Sequence, residues 1–103
     1  MNEPINILVV DDDVVDRLAV QRALRSAGID VAVSEAQDYA SAIAALTESA
    51  FDCVFADYRL PDKDGLILVH DLRQQGIKIP IVMLTGQGDE QIAVELMKAG
   101  ATD

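Results

Sequence analysis

Apolar residues run along this chain in two alternating rhythms. Ile5-Asn6-Ile7-Leu8-Val9-Val10 is a short β-branched run with no helical period, ended by Asp11, Asp12 and Asp13. It predicts a strand buried on both faces. From about Val14 to Ala27 the residues Val20, Ala23, Leu24 and Ala27 keep helical spacing, and Gly28 supplies a stop. Val31 to Ser34 predicts a second strand, and Tyr39, Ile43 and Leu46 mark one face of a second helix. Phe51 to Ala56 predicts a third strand, ending in Asp57. A loop with Pro61 and Gly65 follows, then a third helix from about Leu66 to Gln75, stopped by Gly76. Ile79 to Leu84 predicts a fourth strand closed by Thr85-Gly86. Asp89 to Ala99 predicts a fourth helix, with Ala93, Leu96 and Met97 on one face.

Strict alternation of strand and helix with short loops implies right-handed crossovers and a parallel sheet covered by helices. The 103 residues suit one domain, residues 1–103, and show no internal repeat or linker. Half the residues are apolar and a quarter charged, as in a compact soluble domain. With no Trp, two Phe and two Tyr, the core has to be aliphatic. No apolar run reaches the roughly 20 residues of a membrane span. The first residues lack the basic start of a secretory signal, so a cytoplasmic location is expected. Cys53 is the one cysteine, which excludes an internal disulfide or a Cys-rich zinc site, and it is expected as a small core residue. The net charge of −10 argues against direct nucleic-acid binding.

That negative charge is clustered. Asp11, Asp12 and Asp13 are consecutive, and Asp57, Asp62 and Asp64 fall within one short stretch. In a parallel sheet all strand C-termini share one edge, where ligands bind at the topological switch point. If the first, third and fourth strands are neighbours, two or three carboxylates and the Thr85 hydroxyl meet there. Like charges about 4 Å apart repel by roughly 4 kcal/mol at an effective dielectric near 20. Such a cluster must raise a pKa or hold a cation. An oxygen-only, open site favours Mg²⁺. A carboxylate beside that ion is a nucleophile suited to phosphorus.

The residues Ile7-Leu8-Val9-Val10-Asp11-Asp12, Val54-Phe55-Ala56-Asp57-Tyr58-Arg59-Leu60-Pro61 with Asp64-Gly65, Pro80-Ile81-Val82-Met83-Leu84-Thr85-Gly86 and Lys98-Ala99-Gly100-Ala101 resemble, in that order, the response-regulator receiver domains of two-component signalling. The resemblance covers essentially the whole chain. It implies a flavodoxin-like, doubly wound sheet with strand order 2-1-3-4 and a fifth strand and helix missing. It also implies Asp57 as phospho-acceptor, fed by a sensor histidine kinase or a phosphotransfer protein. Asp11 and Asp12 are then the acidic pair for Mg²⁺, together with Asp57 and the Arg59 backbone carbonyl. Thr85 contacts the phosphoryl group, and Arg59 and Gln87 sit where phosphoryl lifetime is tuned. Such a receiver is a signalling module that assists its own phosphorylation and dephosphorylation, and not an enzyme in the ordinary sense.

The family's strand-five lysine is absent, and Lys63, Lys78 and Lys98 do not align with it. The chain is therefore expected to be a shortened receiver whose open fourth strand and bare sheet face favour marginal stability or self-association. Two other readings stay open. One is a pseudo-receiver used only for docking or dimerisation. The other is an aspartate-nucleophile phosphatase of the haloacid-dehalogenase type built on Asp11-Asp12-Asp13, which leaves Asp57 unexplained. Three bland readings stand beside these: Asp11–Asp13 as a helix cap with an acidic first turn, Asp64 as a helix cap, and His70 as a surface residue.

Overall fold

The computed structural model describes residues 4–84, residue 94 and residues 97–102. Their order is β1 (Ile5–Val10), α1 (Val14–Ser26), β2 (Val31–Ala36), α2 (Tyr39–Glu48), β3 (Cys53–Asp57), α3 (Gly65–Gln74) and β4 (Ile81–Leu84). All strand pairs are parallel, in the order β2-β1-β3-β4. Val94 and residues 97–99 are helical, as expected for the fourth helix; the rest of that expected element lies outside the described residues.

The elements end where backbone chemistry requires. β4 begins at Ile81 and not Ile79, because Pro80 has no N–H to give the ladder, although its carbonyl still accepts from Val54 N–H at 2.9 Å. β2 runs two residues past Ser34, since Ala36 is buried and its carbonyl accepts from Asp11 N–H at 3.0 Å. β3 starts at Cys53 and includes Asp57, which pairs with Leu84. Helices α1, α2 and α3 are capped by Asp13, Asp38 and Asp64, each accepting a bond from the following turn. Asp64 thus serves as the helix cap expected of it.

Register sorts the sheet into two faces. Leu8, Val54 and Ile81 align across the strands, as do Val10, Ala56 and Met83, and all six are buried against α2 and α3 with Leu46, Leu68, Val69 and Leu72. On the other face Ile7 and Val9 are buried, but Cys53, Phe55, Val82 and Leu84 are half-exposed. Cys53 is therefore not the fully buried residue expected; it lies on the more thinly covered face. Helix α1 packs on β1 and β2, yet none of its residues is fully buried. Its inward stripe is Arg17, Val20, Gln21 and Leu24, while Ala23 and Ala27, expected on that stripe, face solvent.

Arg73 ties the far end of the sheet together. Its guanidinium donates to the carbonyls of Ile77, Ile79 and Gly100 at 2.7–2.9 Å, linking α3 to the approach to β4 and to the residues after the fourth helix. Thr102 then pairs with Ile81 through both its N–H and its hydroxyl.

Of the described glycines, Gly65 is the most closely packed. A Cβ there would lie 2.9 Å from the Tyr58 backbone and clash with the Met83 side chain. Gly65→Ala is expected to cost about 1–3 kcal/mol, the usual penalty of overpacking, measured as a lowered urea midpoint at unchanged m-value.

Candidate acidic site at the sheet edge

The β1–β3 register builds the site. Val10 pairs with Ala56, so the next residues on both strands, Asp11 and Asp57, emerge together at the C-terminal edge. One oxygen from each of Asp11, Asp12 and Asp57 lies within 4.8 Å of the others; Asp11 is buried, Asp57 half-buried and Asp12 exposed. Three acidic oxygens so close, with an open side, suit a hard divalent ion that keeps some water. No histidine or thiol contributes, which suits neither zinc nor copper.

The carboxylates are held in place. Asp11 accepts from Asp13 N–H at 2.9 Å, and Asp57 accepts from Arg59 N–H at 3.1 Å. Burial pushes both carboxyls above the ordinary carboxylate range, these amide bonds oppose it, and neighbouring aspartates push further upward. For Asp11 the charged neighbours are Asp57, Asp16 and Asp12; for Asp57 they are Asp12 and Asp16, with Arg59 opposing.

The six clustered aspartates of the sequence therefore part company. Asp11, Asp12 and Asp57 converge, Asp13 caps α1, Asp64 caps α3, and Asp62 bonds the start of α2. The acidic block is both helix cap and site, divided residue by residue. His70 is exposed on α3, as expected of a surface residue. Arg59 is exposed beside the cluster, whereas Thr85 and Gln87 lie outside the described residues.

Sequence reasoning missed Arg17. Its Nη1 donates to the Asp11 carbonyl at 2.7 Å and its Nε to Glu35 at 2.9 Å, so an ion pair from β2 braces the backbone of the buried aspartate. The signal was present in the spacing, since Arg17 shares the i, i+3, i+4, i+7 stripe with Val20, Gln21 and Leu24.

Comparison with known proteins gives the family and fold. The family model for the response regulator receiver domain matches residues 7–103. The chain belongs to the response-regulator receiver family. It is 39% identical over 99 residues to the transcriptional regulatory protein FixJ of Bradyrhizobium diazoefficiens, covering 95% of this chain and 47% of that protein. To ZraR of Escherichia coli it is 33% identical over 102 residues, covering 99% of this chain and 23% of that protein. The chain thus spans less than half the length of these relatives. Among solved structures, a putative response regulator from Chloroflexus aurantiacus superposes with a TM-score of 0.89 at 33% identity, covering 98% of this chain and 83% of that one. NtrX from Brucella abortus gives 0.86 at 35% identity, covering 98% and 23%. The receiver has the flavodoxin-like fold and strand order 2-1-3-4 that its sequence implied.

The upward shifts at Asp11 and Asp57 fix a sign. A carboxyl whose folded pKa exceeds its unfolded value stabilises the fold below the unfolded pKa, and that contribution is lost as pH rises through the folded pKa. At neutral pH the ionised pair is thus a burden. Asp57→Asn keeps an acceptor for Arg59 N–H and removes the charge. It is expected to raise Tm by a few degrees at pH 7, with the gain shrinking toward pH 4 in a thermal series without divalent ions.

Proposed function

We propose that this receiver accepts a phosphoryl group on Asp57 from a phosphohistidine of a sensor histidine kinase or phosphotransfer protein. The observation that carries the reading is the convergence of Asp11, Asp12 and Asp57 at one sheet edge. In the transfer an ionised Asp57 oxygen attacks phosphorus and the P–N bond to imidazole breaks. The pair on that nitrogen leaves with the imidazole, and an acyl phosphate remains. Because the nucleophile is already a carboxylate, no general base is needed. Mg²⁺ held by Asp11, Asp12, Asp57 and the Arg59 backbone carbonyl would offset the repulsion between incoming phosphate and the acidic cluster.

The remaining roles follow the family resemblance. Thr85 contacts the phosphoryl oxygens and reports their presence, and Arg59 and Gln87 tune how long the acyl phosphate lasts. The module works as a signalling receiver in the cytoplasm. Among the described residues no helix is long and apolar enough to cross a membrane. FixJ and ZraR are named as transcriptional regulatory proteins. With a net charge of −10, this chain's own route to such an output is indirect and not by contact with DNA.

The test is phosphorylation by a small donor such as acetyl phosphate with Mg²⁺, followed by mapping of the acid-labile phosphate. Label is expected at Asp57, absent in Asp57→Asn and abolished by chelation. Asp12→Asn should slow labelling by about 100-fold, the rate equivalent of some 3 kcal/mol of lost metal assistance. Label at Asp11 with turnover of a phosphomonoester would point to a phosphatase, and no label with Mg²⁺ bound would point to a docking module.

A further inference from the structure

The loop between β3 and α3 is fastened to α2 by a contact that the acidic site itself does not explain. The capping box of α2 uses Asp38 for Ser41 N–H, leaving the Tyr39 and Ala40 amides over. Helix N-terminal amides of this kind have no partner within the helix and turn to side chains, water or ligands. Here Asp62 takes both: Oδ1 accepts from Tyr39 N–H at 2.9 Å and Oδ2 from Ala40 N–H at 3.1 Å. These are charge-assisted bonds at the positive end of a helix, and they hold the Asp62 carboxyl below the usual carboxylate range. Lys63 adds a second grip, its ammonium 4.3 Å from the Tyr39 ring centroid, while the Tyr39 hydroxyl donates to Asp71 on α3.

The same loop reaches the site at its other end. Arg59 N–H donates to Asp57 Oδ1, Leu60 is buried in the core, and Gly65 N–H closes the loop on the Tyr58 carbonyl at 2.7 Å. Only Leu60 and Pro61 separate the amide that orients the Asp57 carboxylate from the carboxylate that anchors the loop. We propose that Asp62 is a positioning residue of the acidic site: by bonding the first two amides of α2, it holds the Arg59 segment in the geometry that a divalent cation at Asp11, Asp12 and Asp57 requires. The inference rests on the metal reading above and extends it to a residue outside the cluster. Reciprocity follows, because a latch that favours the bound cation must itself be tightened by that cation to the same degree.

Two measurements test it, Mg²⁺ titration calorimetry and native-state amide exchange, on wild type, Asp62→Ala, Tyr39→Phe and Asp57→Asn. Asp62→Ala is expected to weaken Mg²⁺ binding by about 10-fold, the lower end of the scale on which partners of metal ligands act. Tyr39→Phe, which loosens α2 from α3 but leaves both amides to Asp62, should bind as wild type. In wild type Mg²⁺ should slow exchange at the Tyr39 and Ala40 amides, and in Asp62→Ala it should not. A folded Asp62→Ala with wild-type affinity, or exchange at those amides indifferent to Mg²⁺, overturns the latch and leaves the metal site standing. Wild type that fails to bind Mg²⁺, or Asp57→Asn that binds it equally well, removes the metal reading and the latch with it.

Discussion

Everything at the functional edge depends on the parallel register of β1 against β3. Side chains along a strand alternate with a period of two, so a slip of one residue would turn Asp57 away from Asp11 and carry Val54 and Ala56 out of the core. The buried set on one face is what forbids the slip. Leu8 and Val10 fit opposite Val54 and Ala56 only in this register, and α3 seals them with Leu68, Val69 and Leu72. The hydrophobic effect thus does electrostatic work: burial on one side of the sheet holds like charges together at its end.

The cost of that arrangement explains why so many amide bonds surround it. Asp11 is fixed at its N–H by Ala36, at its carbonyl by Arg17 and at its carboxylate by Asp13 N–H. Asp57 is fixed by its place in the ladder and by Arg59 N–H. None of these bonds cancels the cost of burial or the smaller repulsion between neighbouring aspartates, and together these leave the carboxyls raised in pKa. An ordinary core would not tolerate the cluster. An open sheet edge, with Asp12 exposed and Asp57 half-buried, accommodates it.

Much of this was legible in the chain itself. The runs Ile5–Val10 and Ile79–Leu84 read as strands because apolar residues stood without helical period and both ended at an abrupt change of polarity, although Pro80 moves the start of the second to Ile81. Asp57 was legible because a carboxylate closing a buried strand has few structural uses. The face of α1 was misread for a physical reason. Alanine is cheap on either side of a helix, so Ala23 and Ala27 carried no directional information, whereas Arg17, with its long apolar stem, could lie along the sheet and still pair with Glu35. Asp62 was missed because its partners, Tyr39 and Ala40 N–H, lie more than twenty residues away in sequence, and backbone amides leave no mark in composition.

The two halves of the molecule are therefore held by different physics. Around β1, β3 and α3 the structure is fixed by close packing, which resists continuous adjustment and keeps the strand-end carboxylates where they are. The loop from Tyr58 to Asp64 has one buried residue, Leu60, and a half-buried Tyr58 against the core, and its remainder is exposed or half-exposed and includes the polar bonds of Arg59 and Asp62. Such bonds are modest in net strength and exchange readily with water. A segment built that way can respond to the charge at its base. The rigid part places Asp57, and the loop beside it is held by the weaker, more exchangeable bonds.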